Sequence, residues 1–179
     1  RTIMSYTQQG KYQEMMEYLQ EYASVITEEE KLICYCRNMA VDAVIHFYAG
    51  ELRKKGIPFE CDMMLPQNIG ISDTDLCKIY GNLLENAVDA VKDLLPENKP
   101  YVKMLTKVKN RKLLIEISNP YSNEIQRREK VFYSTKHEGF GIGTASVAEV
   151  VQRMGGYVVF NTEEGIFKVN IFLPVKTVQ

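Results

Sequence analysis

Apolar residues recur along this chain with two different periods, and the switches between them mark out its elements. Tyr12, Met15, Met16, Leu19 and Tyr22 return at helical spacing, so residues 1 to about 30 read as helical, with Gln9-Gly10 a break ahead of the stripe. Residues 31 to 55 carry a second stripe, Val41, Val44, Ile45, Tyr48 and Leu52, which closes on Lys54-Lys55-Gly56, a basic last turn and then a glycine. Pro58 opens an extended segment through Leu65. From Ser72-Asp73 the longest predicted helix carries Leu76, Ile79, Tyr80, Leu83, Ala87, Val91 and Leu94 on one side and stops before Pro96. The period then becomes two. Val102, Met104, Thr106 and Val108 share one face of a strand, and Leu113, Ile115 and Ile117 one face of the next, with Lys109-Asn110-Arg111 as the hairpin turn.

Between Tyr121 and Phe140 neither period holds; the stretch is rich in Arg, Lys, Glu and Ser, and loops of that length inside a compact domain are usually functional. A glycine cluster opens a helix over residues 144 to 154, which Gly155-Gly156 ends. Two strands follow, with Phe167, Val169, Ile171 and Leu173 facing one way and Lys168 and Asn170 the other. The order is not a regular βαβ alternation. It predicts an α+β fold: a two-layer α/β sandwich, a mixed sheet with helices on one face, preceded by a short N-terminal helical segment.

Composition narrows the function. The chain has 179 residues, 22 Lys+Arg against 23 Asp+Glu and a net charge of -1, which gives no bulk electrostatic reason to bind nucleic acid or an anionic membrane. Its 45% hydrophobic and 25% charged residues are those of an ordinary soluble globular protein. The four cysteines, at 34, 36, 61 and 77, are too scattered for a stapled secreted module and fit a reducing, cytoplasmic setting. No apolar run reaches the ~18 residues of a membrane span, so any membrane anchor is expected outside this stretch. Of the two histidines, His46 lies opposite the Val41, Val44, Tyr48 stripe and reads as a surface residue without a carboxylate partner. His137 falls in the long loop.

Two segments could carry chemistry. In Gly81-Asn82-Leu83-Leu84-Glu85-Asn86-Ala87-Val88-Asp89-Ala90, Asn82, Asn86 and Asp89 fall on one helical face, away from Leu83 and Ala87. Asn costs about 0.5 kcal/mol relative to Ala inside a helix, and a merely solvated face would more readily use Glu or Lys. Amide oxygens are hard ligands suited to Mg²⁺, which takes other ligands from water and substrate phosphates. The second segment is Gly139-Phe140-Gly141-Ile142-Gly143-Thr144. Glycines let the backbone approach an anion, and the N–H groups of the following helix point at it. It is not a P-loop, for no Gly-Lys-Ser/Thr follows, and Ser146 stands where a dinucleotide fingerprint needs its third glycine.

The pairing of these motifs, an Asn-Leu-Leu-x-Asn-Ala helix, two strands, a lid-like loop, then GxGxG opening a helix and a final hairpin, resembles the ATP-binding domain of the GHKL superfamily. Within it the sequence is similar to sensor histidine kinases of the peptide quorum-sensing receptor type, the accessory-gene-regulator sensor family. The resemblance spans roughly residues 1 to 174. It implies a kinase that transfers the γ-phosphoryl of Mg-ATP to a histidine. Asn86 would hold Mg²⁺, with Asn82 and Asp89 beside the phosphates. Gly139, Gly141 and Gly143 would form the second glycine box, ahead of Thr144, and Thr135 and Lys136 would sit in the lid near the terminal phosphate.

Most members carry an Asp-x-Gly-x-Gly box whose Asp accepts from the adenine amino group; here the matching stretch is Asn119-Pro120-Tyr121-Ser122-Asn123. Asn119 can still accept that bond, without the charge assistance that strengthens it, so modest ATP affinity is expected. Neither histidine matches the family's acidic-flanked acceptor, which is expected just upstream of Arg1. Residues 1–30 would then be the remainder of a dimerising phosphotransfer helix pair, and 31–179 the catalytic ATP-binding domain. The resemblance further implies a homodimer through those helices, a response-regulator partner, no nucleic-acid partner, and a cytoplasmic position in a membrane-anchored bacterial receptor. Two other readings stand beside it. GHKL ATPase clamps place a Glu at the Asn82 position to activate water, which an amide cannot do. A degenerate, ATP-free scaffold would account for the missing first glycine box but not for Asn82, Asn86 and the three glycines.

Overall fold

The computed structural model describes residues 33–121 and 142–175, together with Glu14 and Glu17, both helical in backbone. The helices predicted over residues 1–30 otherwise lie outside the described residues.

The first described helix, α1 (Met39–Lys54), buries Val41, Val44, Ile45, Tyr48 and Leu52, the stripe read from the sequence. It starts at Met39 rather than near residue 31. The cause is local: Asn38 caps it by accepting from Val41 N at 2.9 Å, while Asp42 Oδ1 accepts from the N–H groups of Tyr35 and Cys36 and holds them outside the helix. Asn38 Nδ2 also donates to Gln67 O and to Asp73 Oδ1, tying this helix start to the next. Strand β1 (Phe59–Met64) follows, then α2 (Asp73–Val91), capped by Ser72, whose hydroxyl accepts from Asp75 N. After a 3₁₀ turn at Pro96–Asn98 come β2 (Val102–Lys109) and β3 (Lys112–Pro120). They are joined at Asn110 and Arg111, both at positive φ (50° and 57°), as a tight two-residue hairpin needs. The chain ends with α3 (Ile142–Arg153), β4 (Tyr157–Glu163) and β5 (Ile166–Pro174).

The five strands form one mixed sheet in the order β1-β2-β3-β5-β4. All neighbours are antiparallel except β1 and β2, which pair in parallel from Phe59↔Val102 to Met64↔Lys107. Helix α2 is thus the crossover of a βαβ unit, an arrangement the order of elements alone does not bring out. Register sets the core. Cys61, Met104, Ile117, Val169 and Phe160 form one row across the sheet, and Met63, Thr106, Ile115, Ile171 and Val158 the next. The three helices cover this face, with Leu76, Ile79, Leu83 and Leu84 of α2 at the centre. The other face carries the cross-strand ion pairs Lys103–Glu60, which is exposed, and Lys107–Asp62 and Lys168–Glu116, which are partly so, and Tyr157 stacked on Phe172.

Candidate functional site

Topology brings three segments to one end of the domain. Because β1 and β2 are parallel, α2 between them runs against β2 and therefore along β3. Tyr80 of α2, fully buried, hydrogen-bonds Thr106 at 3.1 Å, and Thr106 pairs with Ile115 of β3. From that level Asn86 lies about 9 Å further along α2 at 1.5 Å per residue. Asn119 lies about 13 Å further along β3 at 3.3 Å per residue, in the same direction. Helix α3 joins them. Arg153 Nη2 donates to Asp75 Oδ1 near the start of α2, and the two helices can pack along each other from that pair only if antiparallel. Ile142 to Arg153 and Asp75 to Asn86 each span about 16 Å of helix, so the first turn of α3 comes level with Asn86.

The expected site residues occupy this end unequally. Asn82 is only 4% exposed and donates from Nδ2 to Lys78 O at 2.6 Å. It therefore does not belong to a solvated face; a buried amide is costly unless bonded, and this one is anchored to its own helix. Asn86 is half-buried and Asp89 exposed, its carboxylate paired with Lys92 at 2.8 Å. Asn119 is 1% exposed, and its Nδ2 donates to Pro120 O at 2.9 Å. Thr144 is buried in α3. The helix begins at Ile142, so Gly143 lies inside its first turn rather than ahead of it; a glycine there costs only about 1 kcal/mol against Ala. Thr135, Lys136, His137, Gly139 and Gly141 lie outside the described residues. Buried Ser118, beside Asn119, and the Arg153–Asp75 pair were not foreseen; Asp75 three residues after Ser72 signals the helix cap, and nothing local signals Arg153.

His46 corrects an expectation. It is not a surface residue without a carboxylate: its side chain is 17% exposed, its Nε2 lies 2.7 Å from Ile33 O and 3.5 Å from Asp42 Oδ2, one turn earlier on α1. The spacing was visible as Asp42 at i−4. Asp42 acts on His46 first as a hydrogen-bond acceptor and then through its charge. That carboxylate raises His46 above its ordinary 6.5 despite partial burial. Burial alone would raise Asp42, but His46 and the N–H groups of Cys36 and Tyr35 hold it below its ordinary 3.8.

The sign follows. The imidazolium's contribution is complete below pH 6.5 and fades as pH rises through the raised folded value; that of Asp42 is present above 3.8 and fades as pH falls through its lowered one. His46→Ala is thus expected to destabilise more at pH 6 than at pH 9, by under about 1 kcal/mol for a pair this close to solvent. Urea melts at the two pH values check it; equal losses would refute the pairing. Burial pushes the thiols of Cys36, Cys61 and Cys77 up to about 12, so none of them offers a thiolate near neutrality.

Comparison with known proteins bears on the family and the fold. A family model described as "GHKL domain" matches residues 71–174. The chain is 26% identical over 183 aligned positions to the sensor protein CitS of Bacillus subtilis (strain 168), covering 96% of this chain and 33% of CitS. It therefore spans about a third of the length of that relative. Among solved structures, the nucleotide-free catalytic domain of histidine kinase ThkA superposes with a TM-score of 0.57 at 19% identity, covering 76% of this chain and 92% of that one. The mycobacterial sensor histidine kinase MprB does so at 0.53 and 20%, covering 78% and 95%.

Proposed function

Because the chain belongs to the GHKL domain family, we propose that it is the ATP-binding catalytic domain of a two-component sensor histidine kinase. The observation that carries this reading is the convergence of Asn82 and Asn86 on α2, Asn119 at the end of β3 and the start of α3. The donor set fits a Mg²⁺ site in chemistry: half-buried amide oxygen from Asn86, with Asn82 and Asp89 on the same helical face, are hard oxygen donors. When bound, the ion neutralises phosphate charge.

The chain's own groups do the rest. N–H groups of the first turn of α3, Thr144 among its residues, face the phosphates, with Gly139, Gly141 and Gly143 allowing close approach. Thr135 and Lys136 lie near the terminal phosphate. Asn119, its Nδ2 held by Pro120 O, accepts from the adenine amino group. With the helix amides in place before the nucleotide arrives, little reorganisation is needed as charge moves. Transfer of the γ-phosphoryl goes to a histidine other than His46, which is committed to Ile33 and Asp42. Residues 1–30 belong to a dimerising phosphotransfer helix pair, the receiving protein is a response regulator, and the whole is a membrane-anchored receptor of the peptide quorum-sensing type with this domain in the cytoplasm. Among the described residues no helix is long and apolar enough to cross a membrane.

Two observations favour a second reading, an ATP-free scaffold. Asp89 is already paired with Lys92, and Asn119 replaces the usual charged acceptor. Thermal denaturation with and without Mg-ADP separates the two. At 100 times its Kd the nucleotide adds about 2.7 kcal/mol, a rise of roughly 5–10 °C for a chain of this size. No shift at millimolar Mg-ADP would overturn the kinase reading and leave the scaffold.

A further inference from the structure

We propose that Arg153, through Asp75, is a positioning residue that sets the register of α3 against α2 and so places the first turn of α3 level with Asn86. The inference rests on the nucleotide reading for its consequence, but the clasp itself is visible without it. The two helices pack along each other, and α3 buries Val147, Val150 and Val151 in the core that they share. Apolar ridges at successive turns of two packed helices present similar surfaces, so packing alone opposes separation more than a slip by one turn. A directional polar pair discriminates between registers one turn, about 5.4 Å, apart.

Asp75 is built for that task. Its Oδ2 accepts from Ser72 Oγ at 2.9 Å, and the same hydroxyl accepts from Asp75 N at 3.1 Å, so the carboxylate is oriented by the helix cap before Arg153 arrives. Its side chain is 22% exposed against 57% for Arg153, which reaches it from the last turn of α3. That helix end is fixed from behind: Gly155 N donates to Gln152 O and Gly156 N to Val151 O. The clasp therefore acts at the far end of both helices from the site. A one-turn slip there would carry the α3 N–H groups past Asn86.

The test uses the whole chain with Arg153→Glu, Arg153→Ala and Arg153→Lys. In the nucleotide-free protein, hydrogen exchange in α3 should accelerate in the Glu and Ala variants and return toward wild type in the Lys variant, while the β2–β3 amides stay unchanged. Unchanged exchange in α3 would overturn the clasp, whatever the nucleotide result. Mg-ADP affinity should fall about tenfold in Arg153→Glu and less than about threefold in Arg153→Lys, with adenosine affinity held within about twofold. Equal losses for adenosine and Mg-ADP would mean general loosening and overturn the register role. If wild-type protein binds no Mg-ADP, the nucleotide reading falls, and the exchange measurement alone decides the clasp.

Discussion

Gly156→Ala is expected to destabilise the fold by about 3 kcal/mol. A Cβ at Gly156 would lie 2.4 Å from Phe172 O, 2.6 Å from Leu173 Cδ2 and 3.2 Å from Val151 Cγ1. The leucine methyl can rotate aside, but Phe172 O belongs to the β5 backbone, paired on both sides by β3 and β4. The only relief is to lift the end of α3 off the sheet. Gly155→Ala makes a useful contrast: φ is +72°, yet the nearest atom is Pro174 Cγ at 3.9 Å. Its penalty is one of backbone conformation, about 1 kcal/mol. Urea denaturation should order the two variants with Gly156→Ala clearly the worse. Equal losses would show that the close packing of α3 on β5 is not what requires glycine there.

That contrast illustrates what was legible in the sequence. Gly155-Gly156 was readable as a helix end, because glycine marks such positions; that the second glycine is needed for a neighbouring strand was not, because the neighbour is β5, beyond the β4 hairpin. The core followed the same logic. Val41, Val44, Ile45 and Leu52, or Met104 and Thr106, are buried as periodicity predicts, since period reports which face is covered. Period carries no strand direction, so the parallel β1–β2 pairing, and with it the course of α2 along β3, had to come from the structure. At the site, residue types pointed to Asn82, Asn86 and Asp89, but not to their gradation from buried to exposed. Asn82 turns its amide onto Lys78 O, and Asp89 spends its carboxylate on Lys92, local bonds that composition does not reveal. His46 was misread because its carboxylate sits on its own helix, one turn back, where the eye looks for apolar neighbours.

Asn86→Ala should separate stability from binding. Asn86 is half-buried in the interior of α2, where Ala is the better helix former by about 0.5 kcal/mol, so the variant should melt at or slightly above the wild-type temperature. Its affinity for Mg-ADP should nevertheless fall about 100-fold, equivalent to roughly 2.7 kcal/mol, because the amide oxygen proposed to reach the ion is gone. Asn86→Asp keeps an oxygen donor of the same reach but adds a negative charge facing the phosphates. It should retain part of the Mg²⁺-dependent binding and lose most of the Mg²⁺-independent part. Asp89→Asn would release Lys92, an exposed pair whose loss alters stability by under about 1 kcal/mol, and reads the effect of removing a charge beside the proposed ion. Isothermal titration of the three variants, with Mg²⁺ and with a chelator, reads these outcomes directly. A wild-type affinity in Asn86→Ala would remove the ion from this helix and with it the case for Asn82 and Asp89 as its neighbours. A large loss of stability in the same variant would instead mean that Asn86 is held by the fold, and that its place on the polar face of α2 is structural.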